Sequence, residues 1–533
     1  MTTHPDLWHA DELVGTGPHR AKVRRAVPTG PVGGRLVLVT ATTPTRAGEG
    51  KTVTAIGLAD ALAARGHRAA VTLRTSSLGP TLGLKGGGAG GGAARLAPLD
   101  EALLGMGADL FAVESANNLL AAAVDHELRP ASGHTGLVAD SINWKRVIDI
   151  DDRALRSILV HPDGTPSDTP RSTGFDITAA SEVMAVLSLA LHPEDLRQRL
   201  GRIVVGRDGD GAPVTAEDLG TAGAMAALLR EAAWPNLLRT AEGTPALVHG
   251  GAFANIAHGC TSIAAERLAL ERADLVVTEA GFGADLGAQK RLDLVVPAGG
   301  PAPDAIVLVT TVRALADHGR RSGTTPDDAI EPGLANLRAH LATLAESGLP
   351  VVVAVNRFGS DDARAVAHVL DRARAAGAVA ACTHTAFTDG AAGASDLAEA
   401  VEHAVDAHAR YRPRFGDPTP VVEAVERLAT EVYGAAEVSW SERARADLDA
   451  LRRDGLDHLP PCVAKTHLSL SHDPDLAGAP HGFTFPVRSL QARAGAGFTT
   501  VYAGEIITMP GLPSRPRYLD IEVAADGSIR GLA

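Results

Sequence analysis

Aromatic side chains are scarce in this sequence: Phe, Trp and Tyr make up 3% of its 533 residues. Cysteine is scarcer still, and Cys260, Cys382 and Cys462 stand far apart with no C-x-x-C spacing. That excludes a disulfide framework and a cysteine-based zinc site, and leaves each thiol reading as a buried, inert side chain. Basic residues are outnumbered, with 50 Lys and Arg against 63 Asp and Glu, so the net charge is -13. A chain so charged is repelled by phosphate backbones and anionic membranes, which leaves a small molecule as the expected partner. An anionic substrate must then be met by local cations, backbone N–H groups or a metal ion. No uncharged apolar run of 18 residues appears, so no membrane-spanning helix is expected. The opening MTTHPDLWHADELV has no basic segment followed by an apolar one, and the expected location is the cytoplasm. At roughly 150 residues per domain, two to four domains are expected.

What is present is a repeated order of strand, glycine-rich turn and alanine-rich helix, which points to α/β. RLVLVT at 35 to 40 reads as a buried strand, and KTVTAIGLADALAARG carries Val53, Ile56, Ala59 and Ala63 at helical spacing. AAVTLR at 69 to 74 completes a βαβ unit, parallel and right-handed, which brings Arg74 to the same edge as the turn. In that turn, TPTRAGEGKT at 43 to 52, Gly48 and Gly50 let backbone N–H groups face a phosphate and the next helix adds its positive end. Lys51 is placed to neutralise phosphates and Thr52 to ligate Mg²⁺. Thr45 stands where the strict G-x-x-x-x-G-K-[ST] pattern has glycine. Further strands are read at 246 to 250, 274 to 281, 305 to 312 and 350 to 358. Surface connections are read at 161 to 174, 315 to 332 and 411 to 420.

Other clusters carry chemistry less specifically. The run GPTLGLKGGGAGGG at 79 to 92 reads as backbone closely approaching something, with Lys85 inside it. His249 and His258 in HGGAFANIAHG lack a nearby acidic ligand and read as hydrogen-bonding pocket residues. Glu279 and Asp285 in TEAGFGADLGAQK fall at a strand's C-terminal end, where open α/β sheets place their clefts, and serve either a nucleotide or metal or a solvated loop. Phe358 and Phe387, each beyond a strand end, are core rings or platforms for a planar heterocycle.

Taken in order, PTRAGEGKT, SLGPTLGLKGGGAGGG, ANNLLAA, NWKRVIDIDDRALR, GFDITAASE, GRIVVG, HGGAFANIAHG, TEAGFGADLGAQK, VVVAVNRF, AKTHLSLS and TMPGLP resemble stretches of the formate-tetrahydrofolate ligase family, from about residue 34 to the end. The resemblance implies a P-loop nucleotide hydrolase-like parallel sheet with two further α/β domains. The nucleotide domain is expected at 1-95 plus about 277-334, a second at 96-276, and a C-terminal one with the acceptor site at 335-533. It also implies ATP, Mg²⁺ and tetrahydrofolate, with room for a monovalent cation, a homotetramer, and a reaction through formyl phosphate. Thr45, Arg46, Ala47, Gly48, Glu49, Gly50, Lys51 and Thr52 are then the ATP loop, with Thr52 on the metal. Arg74 clamps the intermediate, and Phe358 and Phe387 sandwich the pterin ring.

The chain departs from the family's pattern in several places. Thr75 replaces the glutamate after Arg74, and Phe111 occupies a catalytic position where the family has histidine. Ser172 and Thr173 replace two acids, and Phe387 replaces tryptophan. Two other readings fit the same residues: a divergent paralogue acting on another carboxylate or amine, and a non-catalytic nucleotide-binding scaffold.

Overall fold

The computed structural model describes residues 7–45, 48–83, 88–129, 133–162, 164, 170–321, 329–416 and 418–532. Expectations at Arg46, Ala47 and Lys85 fall outside these residues. Seven parallel strands form the centre of a mixed sheet: β1 (Arg35–Ala41), β2 (Ala69–Leu73), β3 (Pro245–Val248), β4 (Leu275–Glu279), β5 (Ala305–Thr310), β6 (Val351–Asn356) and β7 (Ala380–His384). Their lateral order is β3-β2-β4-β1-β5-β6-β7. Asn236–Thr240 pairs antiparallel with β3 and carries Ala21–Val23 and Ala94–Ala97 on its other side.

Both faces of this sheet are covered, so its strands are apolar throughout rather than alternating. Val37, Val39 and Ala41 of β1 join the core on the side of helix α1 (Lys51–Ala64), while Leu38 joins the core on the other side. The same alternation runs through β5, where Val307 and Val309 pack with the α1 side and Ile306 and Leu308 with the other. A small C-terminal sheet, Pro461–Ala464, Ser489–Arg493 and Phe498–Tyr502, has its own core around Phe485, Val463 and Val501.

The central sheet crosses the boundaries drawn at 276 and 334, since β3, β6 and β7 lie in it beside β1 and β2. The connection expected at 315 to 332 is in part helical: Val312–Arg321 is a helix, because Ala314, Leu315, His318 and Gly319 recur at helical spacing and are buried. Residues 322–328 lie outside the described set. Part of the expected 161 to 174 connection is likewise regular, with Arg171–Thr173 paired to Ile158–Val160. Among the described residues no helix is long and apolar enough to cross a membrane.

One charge is buried within α1. Asp60 accepts a hydrogen bond from Thr240 Oγ1 at 2.6 Å, its second oxygen is buried without a partner, and burial pushes its pKa up to about 7. A carboxyl held above its unfolded value stabilises the fold in acid and loses that contribution as pH rises from near 4 to about 7. Asp60→Asn is therefore expected to flatten the stability profile over this window by up to about 1.4 kcal/mol per pH unit. Urea midpoints of both proteins at pH 5 and pH 7.5 measure this difference, and parallel profiles would refute it.

Candidate active site

The C-terminal ends of β1, β2, β4, β6 and β7 meet at one edge, and the expected site residues other than Phe111 leave from those ends. Beyond β1 the loop turns at Gly48 (φ 78°) and Gly50 (φ 82°), where left-handed backbone favours glycine, and α1 starts at Lys51. A side chain at Gly50 would meet Asn356 Nδ2 at 2.4 Å, so β6 holds the loop from the side. Asn356 also donates to the Glu49 carbonyl at 3.1 Å.

Glu49 is buried and braces the loop from within. Its Oε1 accepts from the N–H and hydroxyl of Thr45 at 2.8 and 2.9 Å, and its Oε2 accepts from Thr311 at 2.6 Å. Position 45 thus has a use for a threonine hydroxyl that glycine could not supply.

Two further elements converge on the start of α1. Thr52 donates to Glu279 Oε2 at 2.7 Å, and Arg74 Nη2 stands 3.7 Å from the other oxygen of Glu279. Glu279 is 2% exposed, so the alternative of a solvated loop acid is excluded. At 3.7 Å the Arg74–Glu279 contact is too long for a bidentate pair, and the Arg74 Nε–H is buried with no acceptor. Arg74 therefore keeps hydrogen-bonding capacity for an anion beside the loop. Thr75 follows it, buried, and its N–H donates to the Gly250 carbonyl at 2.5 Å. HGGAFANIAHG thus lies against the Arg74 turn: a side chain at Gly251 would meet the Thr75 carbonyl at 2.9 Å.

His249 is fully engaged, bridging Ser262 Oγ at 2.7 Å and the Ala232 carbonyl at 2.6 Å. Burial, with the Lys22 charge nearby, depresses it to about 4. His258 is pushed down to about 3, chiefly by burial and further by the cations Lys290, Arg291 and Arg74. Both rings are therefore neutral at pH 7. Asp285 is also buried, in an ion pair with Lys465 at 2.6 Å. Between Glu279 and Asp285, Phe282 takes a positive φ of 59° and stacks on His467 with centroids 4.4 Å apart.

The aromatic positions are arranged differently from one another. Asn356 and His384 are paired across β6 and β7, so Phe358 and Phe387 leave neighbouring strand ends. Phe358 is 38% exposed, with the Arg313 guanidinium 5.0 Å from its ring centroid. Phe387 is 54% exposed and rests on the glycine run: a side chain at Gly91 would touch its ring at 3.2 Å, and one at Gly92 would strike its carbonyl at 2.0 Å. The close approach expected of that run is thus to the Phe387 loop at Gly91 and Gly92, and to the Asp151 carboxylate at Gly79 and Gly83. Phe111, by contrast, is 67% exposed on the helix Gly107–Glu127, and no described contact ties it to the β-strand edge.

Glu242 escaped the sequence reading. It lies in the turn between Asn236–Thr240 and β3, and its Oε1 accepts from the Ala391 N–H at 2.7 Å. The bond closes the Phe387 loop across 149 positions of sequence, a distance at which no local pattern exists to reveal it. Glu242→Ala is expected to speed amide exchange at Ala391 by about tenfold, the loss of one charge-assisted hydrogen bond, while β6 is unaffected. Hydrogen–deuterium exchange of the two proteins provides the measurement, and equal protection at 387 to 393 would refute it.

Among the described residues no group of three or more His, Cys, Asp or Glu is placed to hold a metal ion. Oxygen donors do meet at Thr52 and Glu279.

Comparison with known proteins shows the family. Residues 7–533 match the family model described as Formate--tetrahydrofolate ligase. A protein of that name from Nocardioides sp. is 48% identical, over 98% of this chain and 95% of its own length. Those from Paracoccus denitrificans and Thermotoga maritima are 48% and 47% identical, each over 94% of this chain and 90% and 92% of their own lengths.

Proposed function

Given that the chain belongs to the formate–tetrahydrofolate ligase family, we propose that it uses ATP to convert formate to formyl phosphate and passes the formyl group to N10 of tetrahydrofolate. The carrying observation is the single buried carboxylate of Glu279 that meets both Thr52 and Arg74. It joins the loop suited to a nucleotide and the cation suited to an acyl phosphate in one site.

On this reading the sheet and α1 form a P-loop nucleotide fold. The turn at Gly50 and the first N–H groups of α1 receive the phosphates, and Lys51 and the α1 N-terminus balance their charge. Thr52 and Glu279, hard oxygen donors side by side, fit Mg²⁺, which requires few protein ligands when phosphates supply the others. When bound, that ion neutralises charge on the transferring phosphoryl group.

Little covalent chemistry is asked of the protein. A formate oxygen attacks the γ-phosphorus, the bond to ADP breaks, and Arg74 holds the two anions together against their repulsion. The N10 amine then attacks the formyl carbon, phosphate leaves, and the amine loses its proton. Phe358 and Phe387, on adjacent strand ends, offer faces for the pterin ring. A homotetramer in the cytoplasm completes the reading.

The test is to incubate purified protein with MgATP, formate and tetrahydrofolate and to follow ADP and 10-formyltetrahydrofolate together. Equal amounts of both products are expected. ADP release that needs formate but yields no formylated folate would redirect the acceptor assignment, and no formate dependence would overturn the reading.

A further inference from the structure

A second polar cavity, of about 210 Å³, lies between Lys145, the Asp176–Glu182 segment and the hairpin Ser489–Tyr502. Lys51, Arg74 and Glu279 are not among its walls. Several of its residues come from NWKRVIDIDDRALR and GFDITAASE, stretches for which the reaction above has no use.

Its charges are unevenly paired. Asp176 is satisfied by Lys145 at 2.9 Å and by the Thr508 hydroxyl at 2.6 Å. Glu182 is buried, and one of its oxygens accepts from the N–H groups of Gly495 and Ala496 at 2.9 and 3.3 Å. Arg493 is only 14% exposed, yet its Nη1 stands 3.9 Å from Glu182 and its Nη2 3.4 Å from Tyr502 Oη. Charge-assisted pairs normally close to about 2.7–2.9 Å, often through two parallel bonds. Among the described residues no carboxylate takes this guanidinium that way.

We propose that this cavity is a second oxyanion site, in which Arg493 and Lys145 hold a small carboxylate or phosphate and Tyr502 and Gln491 complete its polar wall. The site goes beyond the reaction proposed above and does not rest on it.

Protonation of Glu182 reinforces it. Burial pushes that carboxyl up to about 7, against the attraction of Arg493 and the two backbone N–H groups. Arg493 and those N–H groups face it directly, Asp176 and Tyr502 face Arg493, Lys145 faces Asp176, and Arg199 lies behind Ala496, paired with Asp195. Once Glu182 is neutral, two cations face the single carboxylate of Asp176. Anion affinity should therefore fall as pH rises from 6 to 8.

The experiment is calorimetric titration of the full chain with sodium formate and, separately, with inorganic phosphate. One saturable site per chain is expected that survives Arg74→Ala and weakens at least about tenfold in Lys145→Gln and in Arg493→Gln. Saturation by formate assigns a carboxylate site, and saturation by phosphate a phosphate site. No saturable binding of either anion, loss of the site in Arg74→Ala, or indifference to both cavity variants would overturn the proposal. Should Arg493→Gln lower the melting temperature, Lys145→Gln decides alone, since that side chain is 41% exposed.

Discussion

Arg74→Ala is expected to lower kcat for formate-dependent formyl transfer by about 10²–10³-fold, the scale seen when a preorganised donor to a developing anion is removed. The physical basis is the unspent donor capacity of this guanidinium: a buried Nε–H without an acceptor, and a nearest carboxylate 3.7 Å away. Removal also leaves Glu279 uncompensated beside Thr52, so the KM for MgATP should rise with the fall in kcat. Arg74→Lys keeps the charge but not the planar fork, and should recover only part of the rate. Steady-state kinetics of the three proteins, with melting temperatures as a control, test this. A folded Arg74→Ala enzyme with an unchanged rate would place the clamp elsewhere.

Lys465→Met is expected to destabilise the chain by about 3–5 kcal/mol, read as a shift of the urea midpoint. Lys465 is 0% exposed and its Nζ donates to Asp285 Oδ2 and to the Ser469 carbonyl, each at 2.6 Å. Burial lowers its pKa and Asp285 opposes that shift. Taking the cation away strands a buried carboxylate, which is the costly outcome. Removing both charges is not, so Asp285→Asn/Lys465→Met should regain most of the loss. A single-variant cost below about 1 kcal/mol would mean that the pair behaves as if screened by water.

Sequence carries the elements that local constraints shape and not the partnerships that the sheet assembles. The strands β1, β4, β5 and β6 were legible because burial on both faces demands unbroken apolar runs, and such runs are rare enough to stand out. The turn before α1 was legible because two left-handed positions and a helix start constrain residues that are adjacent in sequence. Partnerships across the sheet were not. Glu49 meets Thr311 across 262 positions and Lys465 meets Asp285 across 180, and neither pair leaves a local trace. Glu279 was visible as an acid at a strand end, yet its joining of Thr52 to Arg74 needed β1, β2 and β4 to be neighbours. Phe111 was visible only through the family resemblance, since an exposed ring on helix Gly107–Glu127 carries no local signal of a role.

The lateral order of the sheet also sets a timetable for synthesis. β1 is among the first apolar strands to leave the ribosome, but its two neighbours are β4 and β5, so its first partner begins at Leu275. At roughly 5–20 residues per second, the segment Arg35–Ala41 waits on the order of 10 to 50 seconds with both edges open. The glycine turn that follows it cannot be braced by Asn356 until later still. A nascent chain stalled before residue 275 should therefore be captured by holdase chaperones through this strand, and one stalled well past 384 should not.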